Sequence, residues 1–289
     1  MLGEALSTVT RFTPADATVL VVDSASTTHD TREVASAAGV DYVRTDVKGL
    51  SIARNVGLRS TARDIVLYTD DDCVAVDGWI DGILAHFSDP VVGAVTGEMI
   101  DPADPPAAGS GMRRFTRVVD GLDAGHGALM AFRRDALVRI GGFDEVLGAG
   151  RELAGAEDLD IFCRLLEAKW AIVYDPACVI HHVHTRDDTA YETLYLGYGR
   201  GLGGLADKWL RMRPLTGLRL LARLVGRSAR RIRRYRGDLR RGPAERAMLR
   251  GIREGAAASR RMKLQDGRLV DAHPPAPIVL TAAHEEGTR

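Results

Sequence analysis

From residue 18 to about residue 177, short apolar runs alternate with stretches in which apolar residues recur every three or four positions. Four to six β-branched or apolar residues bounded by turn formers predict a strand, and a three-to-four spacing predicts an amphipathic helix. Strands are predicted at 19–23, 41–44, 65–68, 92–96, 128–132 and 171–174. Helices are predicted between and after them, at 31–38, 52–62, 79–87, 134–140 and 158–169. In the last helix Ile161, Phe162, Leu165 and Leu166 form one apolar stripe. Its acids crowd the N-terminal turn, where the helix dipole favours them. Alternation of this kind predicts an α/β sheet covered by helices.

After Thr189 the strand signals stop. The chain divides into an α/β domain over 1–189, a basic helical region over 190–264 centred on LRLLARLVGRSARRIRRYR, and a disordered tail over 265–289. Residues 101–111, DPADPPAAGSG, read as a mobile loop on the working edge of the sheet. There is no internal repeat.

With 289 residues and 45% apolar content, the chain can bury a full core. Its formal net charge of zero conceals a division, because residues 200–263 hold 20 Lys or Arg against Asp207, Asp238, Glu245 and Glu254. Such a segment suits an anionic surface. Aromatic interleaving is sparse (Trp209, Tyr235), so contact with anionic lipid is favoured over nucleic acid. No run approaches the roughly 18 apolar residues of a membrane span, and residues 1–10 lack a signal pattern. The expected compartment is the cytoplasm, with peripheral contact at the inner face of the membrane. Cys73, Cys163 and Cys178 are odd in number and lack C-x-x-C spacing, which predicts buried thiols rather than disulfides or a zinc site.

Asp70-Asp71-Asp72 directly follows the apolar run IVLYT. Three adjacent carboxylates repel one another and are best tolerated where a cation sits, at a strand end where open α/β sheets bind ligands. Oxygen ligands point to Mg²⁺ or Mn²⁺. The triplet alone fits a solvated acidic turn equally well. Glu157-Asp158-Leu159-Asp160 opens the apolar helix at 158–169, and on its own is better explained by capping. His181, His182 and His184 follow the last strand, and alternation places His182 and His184 on one face, as a metal site or a diphosphate contact requires. Gly125-His126-Gly127 and Gly141-Gly142-Phe143-Asp144 read as turns or helix stops and match neither a Walker A loop nor a dinucleotide fingerprint.

Taken in order, VVDSAST at 21–27, LSIARNVGL at 50–58, YTDDDC at 68–73, GALMAFRRDAL at 127–137, IGGFDEVLGAG at 140–150, GAEDLDIFCRLL at 155–166 and YDPACVIHHVH at 174–184 resemble the family 2 glycosyltransferases. The resemblance covers roughly residues 5–205. It implies a GT-A fold, a mixed Rossmann-like sheet flanked by helices and followed here by a helical C-terminal region. It also implies inverting, metal-dependent transfer of a sugar from a nucleotide-sugar donor, most often a UDP-sugar, to a sugar, lipid-linked or small-molecule acceptor. Asp23 corresponds to the acid that contacts the nucleotide base, and Arg54 to a cation near the diphosphate. Asp70 and Asp72 correspond to the outer acids of the D-x-D motif, with Asp71 between them and Mg²⁺ or Mn²⁺ as the metal. Gly127 falls in the donor-binding G-A segment. Asp158, beside Glu157, corresponds to the general base, and His182, with His184 second, to a metal- or phosphate-facing histidine.

Three departures accompany the resemblance. LGEALSTVTRF looks like the helix that follows the family's first strand, so that strand is missing from its usual place: either the start is assigned too late, or the chain is trimmed, or the sheet is completed by another route, which bears on donor affinity and activity. Leu129 stands where Asn is common near the donor sugar, and Ala156 replaces a Gly before the E-D pair. The rival readings are an inactive relative that binds a partner and a nucleotidyltransferase. The latter calls for a basic, glycine-rich triphosphate loop early in the chain, and the sequence has none.

Overall fold

The computed structural model describes residues 1–100, 111–183, 191–271 and 274–280. His184 and nearly all of the 101–111 loop lie outside the described residues. The chain opens with α1 (Leu2–Phe12), β1 (Leu20–Ser24), α2 (Asp30–Ala37), β2 (Asp41–Thr45) and α3 (Leu50–Arg59). It continues through β3 (Ile65–Thr69), β4 (Cys73–Ala75), α4 (Asp81–His86), β5 (Val92–Ile100), β6 (Arg113–Phe115), a 3-10 turn (Val118–Asp123), β7 (Leu129–Arg133) and α5 (Arg134–Arg139). Then come α6 (Glu157–Glu167), β8 (Ala171–His182), α7 (Tyr191–Met212), α8 (Pro214–Arg234), α9 (Arg241–Ser259) and a hairpin of β9 (Lys263–Gln265) and β10 (Arg268–Val270).

Six strands form a mixed sheet in the order β3-β7-β5-β8-β4, with β6 also paired to β8. β5 and β8 are parallel, whereas β7 is antiparallel to both β3 and β5. β1 and β2 pair in parallel as a separate two-stranded sheet. β8 runs well past the predicted end at 174, because the register steps from Gly97–Asp175 to Glu98–Val179 and loops out residues 176–178. Pro176 falls in that bulge, where its missing N–H costs no ladder bond.

One face of the sheet carries Phe132, which meets Tyr68 and Phe143 edge-on at 6.0 Å and stacks on Phe162 of α6 at 6.2 Å. The opposite face is covered by Trp79 and Ile83. The three cysteines are buried and free. No helix among the described residues is long and apolar enough to cross a membrane.

The C-terminal helices pack against the sheet domain. Trp209, Leu220 and Leu224 share a core with Leu122 and Cys163. α7 and α9 approach closely, since a Cβ on Gly203 would lie 2.0 Å from the Ile252 carbonyl oxygen. The β9–β10 hairpin carries ordered structure past the boundary expected at 265, and the Leu269 amide donates to Asp144 at 2.9 Å. Beneath it the fully buried Lys208 of α7 reaches Asp144 at 2.8 Å and Asp160 of α6 at 2.6 Å. Arg164 completes the group, binding Asp160 at 2.8 Å and donating to the carbonyls of Ile140 and Gly142. Substituting Lys208→Met strands two buried carboxylates, and removing one partner of a buried pair typically costs about 3–5 kcal/mol. Urea unfolding should show a loss of that size. A change within the scatter of surface mutations would mean the group does not hold the helices to the sheet.

Candidate active site

At the C-terminal end of β3 the sheet opens into a cavity of about 1020 Å³. Arg54, Asp70, Asp72, Gly127, Glu157, Asp158 and His182 all line it. Arg54 holds the group together from α3. Its buried guanidinium donates to Glu157 Oε1 at 3.0 Å, to Asp70 Oδ1 at 3.4 Å and to the Gly127 carbonyl at 3.3 Å. Gly127 has to be glycine for this contact, because a Cβ there would sit 2.8 Å from Arg54 Nη2.

Asp72 Oδ2 lies 3.0 Å from His182 Nε2, a pairing fixed by the sheet, where Cys73 is the register partner of His182. No group of three His, Cys, Asp or Glu side chains converges as a metal site among the described residues. One carboxylate and one imidazole, with Asp70 beside them on the same loop, nevertheless suit Mg²⁺ or Mn²⁺. Such ions keep waters and take phosphate oxygens instead of demanding an all-protein cage.

Asp158 stands at the start of α6 and accepts the Leu159 amide at 2.8 Å. Burial and the neighbouring Glu157 carboxylate push its pKa up to about 7, against the opposing pull of the Leu159 amide and Arg54. Asp71 is also raised, first by desolvation and then by Asp72. Ala156, just before α6, adopts φ 64° and ψ 13°, a left-handed conformation that glycine enters freely and alanine only at a cost of about 1 kcal/mol. The Gly that the resemblance leads one to expect there has its reason in that geometry.

Two of the expected site residues stand apart from the cavity lining. Asp23 is buried at the end of β1, accepting the Ser26 amide and the Tyr42 hydroxyl, each at 2.8 Å, with Arg44 Nε 3.9 Å away. Burial and the Asp23 hydrogen bond raise the Tyr42 phenol to about 12. Asp71 is the other. Leu129 is buried within the sheet and is not among the residues that line the cavity.

The cavity also contains residues the sequence reading passed over. His126 lines it with its pKa lowered by burial, and its Nδ1 finds no partner. The only sequence signal for it was the G-H-G turn. The far wall comes from the C-terminal helices, through Tyr191, Leu194 and Tyr198 of α7, Arg240, and Arg241 and Met248 of α9. Arg240 lies over the Tyr191 ring at 4.3 Å, and Tyr191 meets Tyr195 at 4.6 Å.

Residues 1–139 match the profile of the family described as Glycosyl transferase family 2. The pre-mycofactocin glycosyltransferase of Mycobacterium tuberculosis, strain CDC 1551 / Oshkosh, is 29% identical over 210 residues, covering 62% of this chain and 43% of the relative. The protein of strain ATCC 25618 / H37Rv matches to the same extent. The chain thus spans less than half the length of the curated relatives it matches. Among solved structures, the mannosyltransferase PcManGT from Pyrobaculum calidifontis, in complex with GDP-Man and Mn²⁺, superposes with a TM-score of 0.58 at 22% identity, over 89% of this chain and 73% of that one. GalNAc-T7 with UDP, GalNAc and Mn²⁺ superposes with a TM-score of 0.52 at 16% identity, over 73% of this chain and 47% of that one. These structures share the GT-A arrangement of a mixed sheet flanked by helices. Residues 1–139 thus match the glycosyl transferase family 2 profile, just under half of the chain, and the chain has the GT-A fold.

Proposed function

We propose that the chain transfers a sugar from a nucleoside-diphosphate sugar to an acceptor hydroxyl, with inversion and with the help of Mg²⁺ or Mn²⁺. The observation that carries this reading is the convergence of Asp158, buried beside Glu157 at the start of α6, with Asp70, Asp72 and His182 on one cavity, where burial and Glu157 raise the Asp158 pKa. A general base works best with a pKa near the operating pH. Asp72 and His182 would hold the metal with Asp70, and when bound it would offset the charge growing on the departing diphosphate. Arg54, fixed by Glu157, supplies a further positive charge beside that position. Asp158 takes the proton from the acceptor hydroxyl as the new bond to the anomeric carbon forms and the bond to the diphosphate breaks. One base and no covalent nucleophile give a single displacement.

A uridine donor is favoured by the family resemblance. The structural neighbours bind GDP-Man in one case and UDP in the other, so both nucleotides belong in the test. The tyrosine-lined wall of α7 supports an acceptor position there, since its ring faces suit the apolar face of a sugar. Contact with a lipid surface is supported by α8. Leu215, Leu218 and Val225 are exposed on its outer side among arginines, while Arg223 and Arg227 turn inward to Asp123. A cytoplasmic protein touching the inner face of the membrane fits that pattern.

Calorimetric titration of UDP and GDP should give binding to at least one that strengthens tenfold or more with Mn²⁺ and loses that gain in Asp72→Ala. Absence of metal-dependent binding to either would favour the inactive-relative reading. The raised pKa of Asp158 predicts that kcat/KM falls about tenfold per pH unit below about 7 and levels off above it. Asp158→Asn should lose about 10²- to 10⁴-fold in kcat while still binding donor. The same shift has a sign for stability. The folded protein holds the Asp158 proton up to about 7, whereas the unfolded chain releases it near the ordinary aspartate value of 3.8, so stability falls as pH rises through that window. Asp158→Asn should therefore melt higher than the parent at pH 8, with the gap closing towards pH 5. Finally, the protein should pellet with anionic vesicles at low salt, and Leu218→Asp should reduce the bound fraction severalfold. Equal pelleting of the two would remove α8 from the contact.

A further inference from the structure

His126 lines the cavity yet has no part in the proposed transfer, and the turn that carries it is fixed on both sides. Before it, the Thr96 hydroxyl of β5 donates to the Ala124 carbonyl, and Gly125 takes φ 137°, a backbone conformation that glycine enters freely. A Cβ on Gly125 would lie 2.5 Å from the Thr96 Cβ. After it, the Gly127 carbonyl accepts from Arg54 Nη2 at 3.3 Å, and a Cβ on Gly127 would press on that nitrogen at 2.8 Å. The turn cannot shift without breaking one of these contacts. The imidazole between them is therefore held in place.

The ring itself is incompletely satisfied. Its Nδ1 is buried and finds no hydrogen-bond partner among the described residues. Burial lowers its pKa, against the pull of the Asp70 carboxylate, so the ring is neutral near pH 7 and carries one N–H. An N–H on Nδ1 would be a buried donor without an acceptor, which native structures tolerate less than an unused acceptor. The proton therefore sits on Nε2, the nitrogen that is not enclosed in this way. That N–H is offered to the cavity.

The turn lies on the side of the cavity assigned to the diphosphate. The β3–β7 register ends at Thr69–Leu129, so Asp70 and residues 125–127 leave the same end of one ladder. Arg54 binds both, through Asp70 Oδ1 and the Gly127 carbonyl. Phosphate oxygens there are matched by charge, from Arg54 and from the metal that Asp72 and His182 would hold. A single neutral N–H adds little to that match, but it fits an uncharged oxygen. The uncharged oxygens next to the diphosphate of such a donor are the hydroxyls of the sugar joined to it.

We infer that His126 Nε2–H donates to a hydroxyl of the donor sugar and is a determinant of which sugar is accepted, an inference that rests on the proposed transfer from a nucleoside-diphosphate sugar. A sugar lacking that hydroxyl, or turning it away, leaves the N–H unpaired in a closed site. Sites built to hydrogen-bond a hydroxyl reject analogues without it far more strongly than apolar pockets reject a change of size.

Calorimetric titration with Mn²⁺ of UDP, GDP, UDP-glucose, UDP-galactose, UDP-N-acetylglucosamine and GDP-mannose tests the inference. His126→Ala should weaken at least one sugar-bearing ligand that the parent binds by about three- to tenfold, and should leave the affinity for the bare nucleotide unchanged. His126→Gln, whose amide nitrogen can reach the place of Nε2, should stay within about twofold of the parent, whereas His126→Asn, whose amide reaches only the place of Nδ1, should lose as much as His126→Ala. The two losing variants check each other should one of them fail to fold. Equal affinity of the parent and a folded losing variant for every sugar-bearing ligand would overturn the inference, as would an equal loss for the bare nucleotide. A parent that binds no nucleotide in the presence of the metal would instead overturn the proposed transfer, and this inference with it.

Discussion

The ammonium of Lys208, fully buried between Asp144 and Asp160, is the contact on which the arrangement of this molecule depends. Desolvating an ion costs several kcal/mol, and only close, well-formed partners offset it. α7, the loop after Phe143 and the first turn of α6 therefore cannot separate without exposing a charge to an apolar core. Asp160 is two residues along α6 from Asp158. The position of the proposed base is thus set from the C-terminal region, the part of the chain that its sequence made look like an appendage. The same clamp brings the tyrosines of α7 to the cavity.

Around the cavity one guanidinium plays a comparable part. Arg54 satisfies Glu157, Asp70 and the Gly127 carbonyl together, and so allows carboxylates to crowd at the ends of β3 and α6. It does not cancel the effect of crowding. Asp158 remains next to the Glu157 charge and away from water, and holds its proton to about 7. Burial is the larger cause and the Glu157 carboxylate the second, while Arg54, which holds Glu157 in place, pulls the other way.

The sequence made the regular elements legible where periodicity was strong. The six expected strands and five expected helices all occur, within a few residues of their expected starts. β4, β6, β9 and β10 went unseen because three residues carry no period. The length of β8 was hidden by Pro176, which reads as a stop unless the bulge is known. Asp70, Asp72, Arg54, Gly127, Asp158 and His182 were legible because local motifs mark them. Tyr191, Tyr198 and Arg240 were not, because their place at the cavity depends on a buried Lys208 that sequence alone cannot pair with Asp144 and Asp160. His126 had only a glycine turn to announce it, and Asp23 gave no sign that Tyr42 and Ser26 would engage both of its oxygens.

The seam between the two sheets bears on the site through α3. That helix lies across both β1 and β3, and the Tyr68 hydroxyl of β3 donates to the Arg54 carbonyl at 3.1 Å. Arg54 is therefore tied by its backbone to the strand bordering the seam, and by its side chain to Glu157 and Asp70. Any change in spacing between β1 and β3 shifts the support under α3 and reaches the guanidinium before it reaches Asp72 or His182, which are held by the opposite end of the sheet through the β4–β8 pairing. The two halves of the cavity thus differ in kind. The Asp72–His182 side rests on the β4–β8 ladder, whereas the Arg54 side rests on α3 and on the contacts of that helix with β1 and β3.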